Sequence, residues 1–177
     1  MQYSDWLTQY LERVANSCEE GYATVKYLRA RGTKIGIKRA RKSVGGFWTP
    51  TGSIFLNSIH HSYEGSLDNP RAWTLLIHEA RHLQQGLLTA LSVYGELDAW
   101  QHEFRIYKKL TNSEFSPALE ELLRLPLNWD RTNLAQARHL MQTHAGKGYR
   151  IDLLPLYPLP KEIRYWLTRR VPFFPTS

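Results

Sequence analysis

The stretch "WTLLIHEARHLQQG", residues 73–86, decides how this chain is read. Trp73, Leu76, Ile77, Ala80 and Leu83 recur at helical spacing, and Leu87 prolongs the stripe past Gly86, which weakens the run locally. "DNP", residues 68–70, supplies a start, with Asn69 as cap and Pro70 in the first turn. On such a helix His78 and His82 stand four residues apart and project from one face. Imidazoles so placed can share one tetrahedral Zn²⁺ at about 2.0–2.1 Å. Glu79 lies about 100° further round the axis, within reach of a metal-bound water without being a ligand. This is the HExxH pattern, in which zinc acidifies a water and the glutamate takes its proton. In a chain of this composition it arises by chance roughly 0.017 times. The alternative is a helix with two surface histidines. It has to account for Leu75, Leu76 and Ile77 directly before His78, a setting that suits a site shielded from water.

Two histidines and a water leave a catalytic zinc one protein ligand short. Downstream, "LSVYGELDAWQHEFRIYKKL" (91–110) offers Glu96, Asp98, His102 and Glu103. A third histidine six residues after His82 is excluded, because position 88 is Leu88. At about 100° per residue, Val93, Glu96, Trp100, Glu103, Phe104 and Tyr107 share one arc, whereas Asp98 and His102 are expected on the solvent side. A carboxylate among aromatics is expensive unless paired, and a metal makes the position favourable. Glu96 is therefore the expected third ligand. Glu103 is the alternative, as ligand or as a partner orienting a histidine.

At 177 residues the chain fits one domain with a core of its own. With 42% hydrophobic and 22% charged residues it reads as globular, and its six Trp and ten Tyr as an aromatic-rich core. The single cysteine, Cys18, excludes an internal disulfide framework and a cysteine-based zinc cage. "MQYSDWLTQYLERV", with an acidic residue and no unbroken apolar run, is not expected to be a signal peptide, and no window approaches the roughly 18 apolar residues of a membrane span. The expectation is a soluble, cytoplasmic protein with no membrane partner. The net charge of +7 is uneven: residues 21–63 contain no Asp or Glu, and residues 26–42 carry Lys26, Arg29, Arg31, Lys34, Lys38, Arg39, Arg41 and Lys42. Such a strip can hold phosphates. A solvated surface is the favoured reading, since no nucleic-acid motif accompanies it.

Along the chain, Trp6, Leu7, Tyr10, Leu11 and Val14 mark a first helix with Ser4 or Asp5 as cap, and a second spans about 19–31 and stops at Gly32. Ile35 and Ile37 alternate with polar neighbours as a half-exposed strand. "TPTG" (49–52) is a tight turn, and "SIFLN" (53–57) is a short apolar strand. Further helices are expected at 95–110, from Pro117 (capped by Ser116) to Pro126, and at 131–144, closed by Gly146; "RTNLAQARHLMQTH" reads as a packing helix. Pro155, Pro158, Pro160, Pro172 and Pro175 point to a surface wrap with one short helix at 162–169. His60–His61 reads as a surface pair, and Arg81 and Gln84–Gln85 as structural hydrogen-bonders. The order is α-α-β-β-α-α followed by helices, an α+β domain.

On "HEARH" and the following "ELDA" (96–99), the chain resembles a small zincin metallopeptidase of the gluzincin type, which carries HExxH on one helix and a glutamate ligand, often in ExxA, on the next. "GGFWTPTGSIFLN" (45–57) is similar to the strand pair of that family, whose edge strand runs beside the cleft and binds extended substrate by strand addition. The resemblance covers about residues 34–107. Only thirteen residues separate His82 from Glu96, fewer than in several large gluzincin families. It implies one zincin-like domain over 1–177, with a core at about 19–110 and C-terminal helices and wrap at 116–177. It further implies a small, mainly antiparallel sheet packed on the active-site and glutamate helices. The chemistry implied is zinc held by His78, His82 and Glu96, with Glu79 as catalytic base and a protein or peptide as substrate. A later transition-state stabiliser is expected, with Tyr94, His139 and Tyr149 as candidates. The competing readings are a nucleic-acid-associated protein using residues 26–42, and a catalytically silent binding module.

Overall fold

Trp6, Tyr10, Leu11 and Val14 form the buried stripe of α1 (Tyr3–Ser17). The helix starts earlier than expected: Gln2 is its N-cap, so Ser4 and Asp5 lie inside the first turn and cap nothing. α2 (Glu19–Arg31) is capped by Cys18, whose sulfur accepts from the Gly21 amide, and ends at left-handed Gly32. The structure, a computed structural model, describes residues 2–146 and 148–169. Pro172 and Pro175 of the expected wrap lie outside the described residues.

Three short strands follow: β1 (Ile35–Lys38), β2 (Gly46–Trp48) and β3 (Ile54–Asn57). Their order is β1-β3-β2. β2 and β3 pair antiparallel through the Thr49–Gly52 turn, with Phe47 opposite Phe55. β1 and β3 pair parallel, with Ile35 opposite Ile54. The sheet is thus mixed, not mainly antiparallel. The reason is the connection after β1, which passes over the end of β3 to reach the far edge instead of turning back as a hairpin.

Asn57, fully buried at that end of β3, holds the connection in place. Its side-chain oxygen accepts from the amides of Ala40 and Ile59, and its amide donates to the carbonyls of Arg41 and Val44. This loop forms one wall of the cleft described below. Asn57→Ala strands those buried groups at about 1–3 kcal/mol. Chemical denaturation should show that loss; a change of a few tenths would contradict the clamp.

α3 (Tyr63–Leu67), absent from the sequence expectations, leads into α4 (Pro70–Gln85), capped by the Asn69 side chain as expected. α4 stops at Gly86 (φ 78°), so Leu87 belongs not to its stripe but to a separate turn, α5 (Leu87–Ala90). α6 (Val93–Thr111) follows at once. A Cβ on Gly95 would lie 2.1 Å from the Thr89 carbonyl oxygen, so only glycine lets the two helices meet this closely. α7 (Pro117–Arg124), α8 (Arg131–Ala145), a 3₁₀ turn (Ile151–Leu153) and α9 (Leu159–Arg169) complete the described chain. The result is an α+β single domain, mostly helical. No helix among the described residues is long and apolar enough to cross a membrane.

The core has two lobes. One lies among α1, α2, the sheet and α4, around Trp6, Tyr10, Leu56, Leu76 and Ile77. The other lies among α6, α7, α8 and residues 151–157, around Leu97, Phe104, Leu119, Leu134 and Met141. α4 and α6 pack side by side along the seam. The segment after α8 returns to that seam: the Pro155 and Leu156 carbonyls accept from the Val93 and Tyr94 amides at the start of α6. These bonds satisfy helix-end donors that otherwise lack partners.

Candidate metal centre

Arg71, Leu75, His78 and His82 follow one stripe of α4, and Glu96 and Glu103 face it from α6. His78 and His82 are buried, and their Nε2 atoms lie 3.0 Å apart. Glu96 approaches both, with Oε2 3.9 Å from His78 Nε2 and Oε1 3.5 Å from His82 Nε2. His78, Glu79 and His82 each offer a ligand atom within 4.8 Å of one another.

The surroundings fix which ring nitrogens carry protons. The Gln85 amide nitrogen donates to the Gly95 carbonyl and to Asp98 Oδ2, which turns its Oε1 toward His82 Nδ1 at 3.1 Å. An oxygen there requires a donor, so His82 Nδ1 holds the proton. His78 Nδ1 faces Glu103 Oε2 at 2.9 Å, and Glu103 Oε1 takes an ion pair from Arg71 Nη1 at 2.7 Å. Burial would raise the Glu103 pKa, but Arg71 and His78 outweigh it and hold the carboxyl below its ordinary range. His78 Nδ1 therefore also holds a proton. Both Nε2 lone pairs are left aimed at each other, and two lone pairs at 3.0 Å need a cation between them. Without a metal that cation is a proton. Burial lowers the His78 pKa, but Glu103, Glu79 and Glu96 overcome it and raise it to about 9. His82 is driven the opposite way, chiefly by burial. A tetrahedral Zn²⁺ holds two ligand atoms about 3.3 Å apart, close to the spacing found. The donor set of two imidazoles and a carboxylate suits it, and binding would displace the shared proton.

Tyr149 secures Glu96. Its hydroxyl donates to Oε2 at 2.5 Å and accepts from the Trp100 indole at 3.0 Å. Burial, together with the Glu96 charge, raises the phenol well above its ordinary value, so it stays a donor. Glu79 is buried beside the pair. Burial raises its carboxyl to about 8, against the His78 charge and the Trp48 backbone of β2, which favour the carboxylate. All these groups open into a cleft of about 410 Å³ walled by the loop at 42–45, β2, Trp100 and Phe104.

The structure thus brings His78, Glu79, His82 and Glu96 together and gives Glu103 the orienting position. Of the three stabiliser candidates only Tyr149 reaches the cleft; Tyr94 stacks on Trp129 and His139 is exposed. Two expectations are corrected. Asp98 does not face solvent: it pairs with Arg81 at 2.8 Å and holds Gln85. His102, expected beside it on the solvent side, is half-buried. α6 is covered by α4 on one flank and by α7 and α8 on another, so a single buried arc misjudges it. His61 is buried, although His60 is exposed. Arg81 and Gln85 do make the structural hydrogen bonds expected of them. Arg71 escaped the sequence reading; its signal is a position two turns before His78 on the same stripe. The eight cations at 26–42 are all exposed, and among them Lys42 lines the cleft.

Because Glu103 orients His78 without sharing its Nε2, Glu103→Gln should weaken metal affinity about 10–100-fold. Competition with a chromophoric chelator measures this, and an unchanged affinity would show that Glu103 does not position the ligand. No protein-family model matches the chain, nor does any curated protein or solved structure.

Proposed function

We propose that the chain is a zinc-dependent metallopeptidase with a zincin-like fold of the gluzincin type, in which His78, His82 and Glu96 hold the metal and Glu79 is the catalytic base. The observation that carries the reading is the pair of Nε2 atoms 3.0 Å apart, with both Nδ1 atoms committed to Glu103 and Gln85 and a buried glutamate alongside. Zinc, when bound there, supplies Lewis acidity toward a water and a substrate carbonyl. The remaining work belongs to side chains and backbone. β2 is an edge strand beside the cleft, and an extended peptide can pair with it by strand addition. Glu79 takes the proton of the attacking water and passes it to the leaving amide nitrogen. Glu103 and Gln85 keep the histidines in register, and Tyr149 restrains Glu96. Trp48, Trp100 and Phe104 give the cleft an aromatic wall.

The test is cleavage of a defined peptide mixture, read by mass spectrometry. The zinc-loaded protein should cut it, a chelator should stop cleavage, and added Zn²⁺ should restore it. Absence of cleavage by protein carrying one equivalent of zinc would contradict the reading.

A further inference from the structure

We infer that Arg71 is a specificity-determining residue, an anchor in the cleft for a carboxylate of the substrate. This rests on the peptidase reading for its biological meaning but not for its test. Arg71 lines the cleft, and its side chain is 41% exposed. Nη1 forms an ion pair with Glu103 at 2.7 Å, and the guanidinium carbon lies 4.5 Å from the centroid of the Phe104 ring. Nε and Nη2 have no hydrogen-bond acceptor among the described residues. A planar guanidinium that lines the cleft, is partly exposed and keeps two nitrogens without an acceptor matches a carboxylate.

The electrostatics of the cleft agree. Besides the two metal-site histidines, its lining contains Lys42, Arg71 and His144. Two of its three carboxylates are paired: Glu96 with the two histidines, and Glu103 between Arg71 and His78. The third, Glu79, is buried on α4. The loop bearing Lys42 belongs to the acid-free segment at 21–63, which extends the positive field to the cleft mouth. Phe47, Trp100 and Phe104 add apolar surface to the cleft wall, and an apolar surround strengthens a charge-assisted hydrogen bond.

The carboxylate can come from an internal Asp or Glu or from a free C-terminus, and binding distinguishes them without turnover. Two sets of N-acetylated, C-amidated alanine hexapeptides, with one Glu or one Gln at each position in turn, are titrated into zinc-loaded Glu79→Gln protein. The all-alanine hexapeptide is titrated as amide and as free acid. The expected result is tighter binding of one acidic form than its neutral twin by at least about tenfold. A gain at an internal Glu identifies a side-chain anchor; a gain with the free acid alone identifies a terminal one. Arg71→Met in the same background should bring that ratio near one while leaving the neutral peptides within about threefold, which a merely structural role would not do. Should Arg71→Met not fold, Arg71→Lys decides, because loss of the planar fork should still lower the ratio several-fold. Equal binding of every acidic and neutral pair, a preference that survives substitution, or no binding at millimolar peptide would overturn the anchor. A preference without cleavage by the unmutated protein would keep the anchor and reject the peptidase reading.

Discussion

Glu79→Gln should lower peptide turnover by about 10²–10⁴-fold and leave one equivalent of zinc in place. Glutamine is nearly isosteric, so the buried side chain keeps its packing, but it cannot take a proton from water. The residue sits one position after His78 and therefore on a different azimuth of α4. Nε2 convergence and both orienting contacts, Glu103 on His78 and Gln85 on His82, involve other side chains. Metal content and activity must separate in this variant. Loss of zinc would make Glu79 a ligand, consistent with its place among the three groups within 4.8 Å, and would remove the base from the mechanism. Full activity would do the same.

His78→Ala should fail in the other way, losing metal, activity and stability together. His78 is buried, and its removal deprives Glu103 of one of two cationic partners and leaves Glu96 facing a single imidazole. Breaking a buried ionic contact from one side costs about 3–5 kcal/mol. A metal that binds only the folded chain adds about 2.7 kcal/mol at a free concentration of 100 times its dissociation constant, and the variant forfeits that as well. Denaturant titrations with and without zinc should show metal-dependent stabilisation in the unmutated chain and none in His78→Ala. Retention of one tightly bound zinc by His78→Ala would contradict the ligand assignment.

Much of the site was legible because its signals are local. The i, i+4 spacing of His78 and His82 needs nothing beyond helix geometry, and Asn69–Pro70 marks where that helix begins. Glu96 was legible at one remove, through a helical wheel on the next element. The same wheel failed for Asp98, because it assumes one buried face and α6 is covered on more than one. The contacts that decide protonation escaped the sequence. Gln85 touches His82 locally, but its orientation is set by Asp98 and the Gly95 carbonyl on another helix. Arg71 and Glu103 meet across the seam at a separation of thirty-two residues. Tyr149 reaches Glu96 only because the chain after α8 folds back to the start of α6. The hairpin of β2 and β3 follows from "TPTG", whereas the parallel β1–β3 pairing depends on a crossover that Asn57 secures by three hydrogen bonds from a single side chain.

His78, His82 and Glu96 are expected to surround one metal ion, which an anomalous difference map collected on crystals at the zinc absorption edge would locate. One peak should lie between His78 Nε2, His82 Nε2 and the Glu96 carboxylate, and should vanish in data collected below the edge. A map with no peak there from zinc-loaded protein, or with its peak at other residues, would contradict the account.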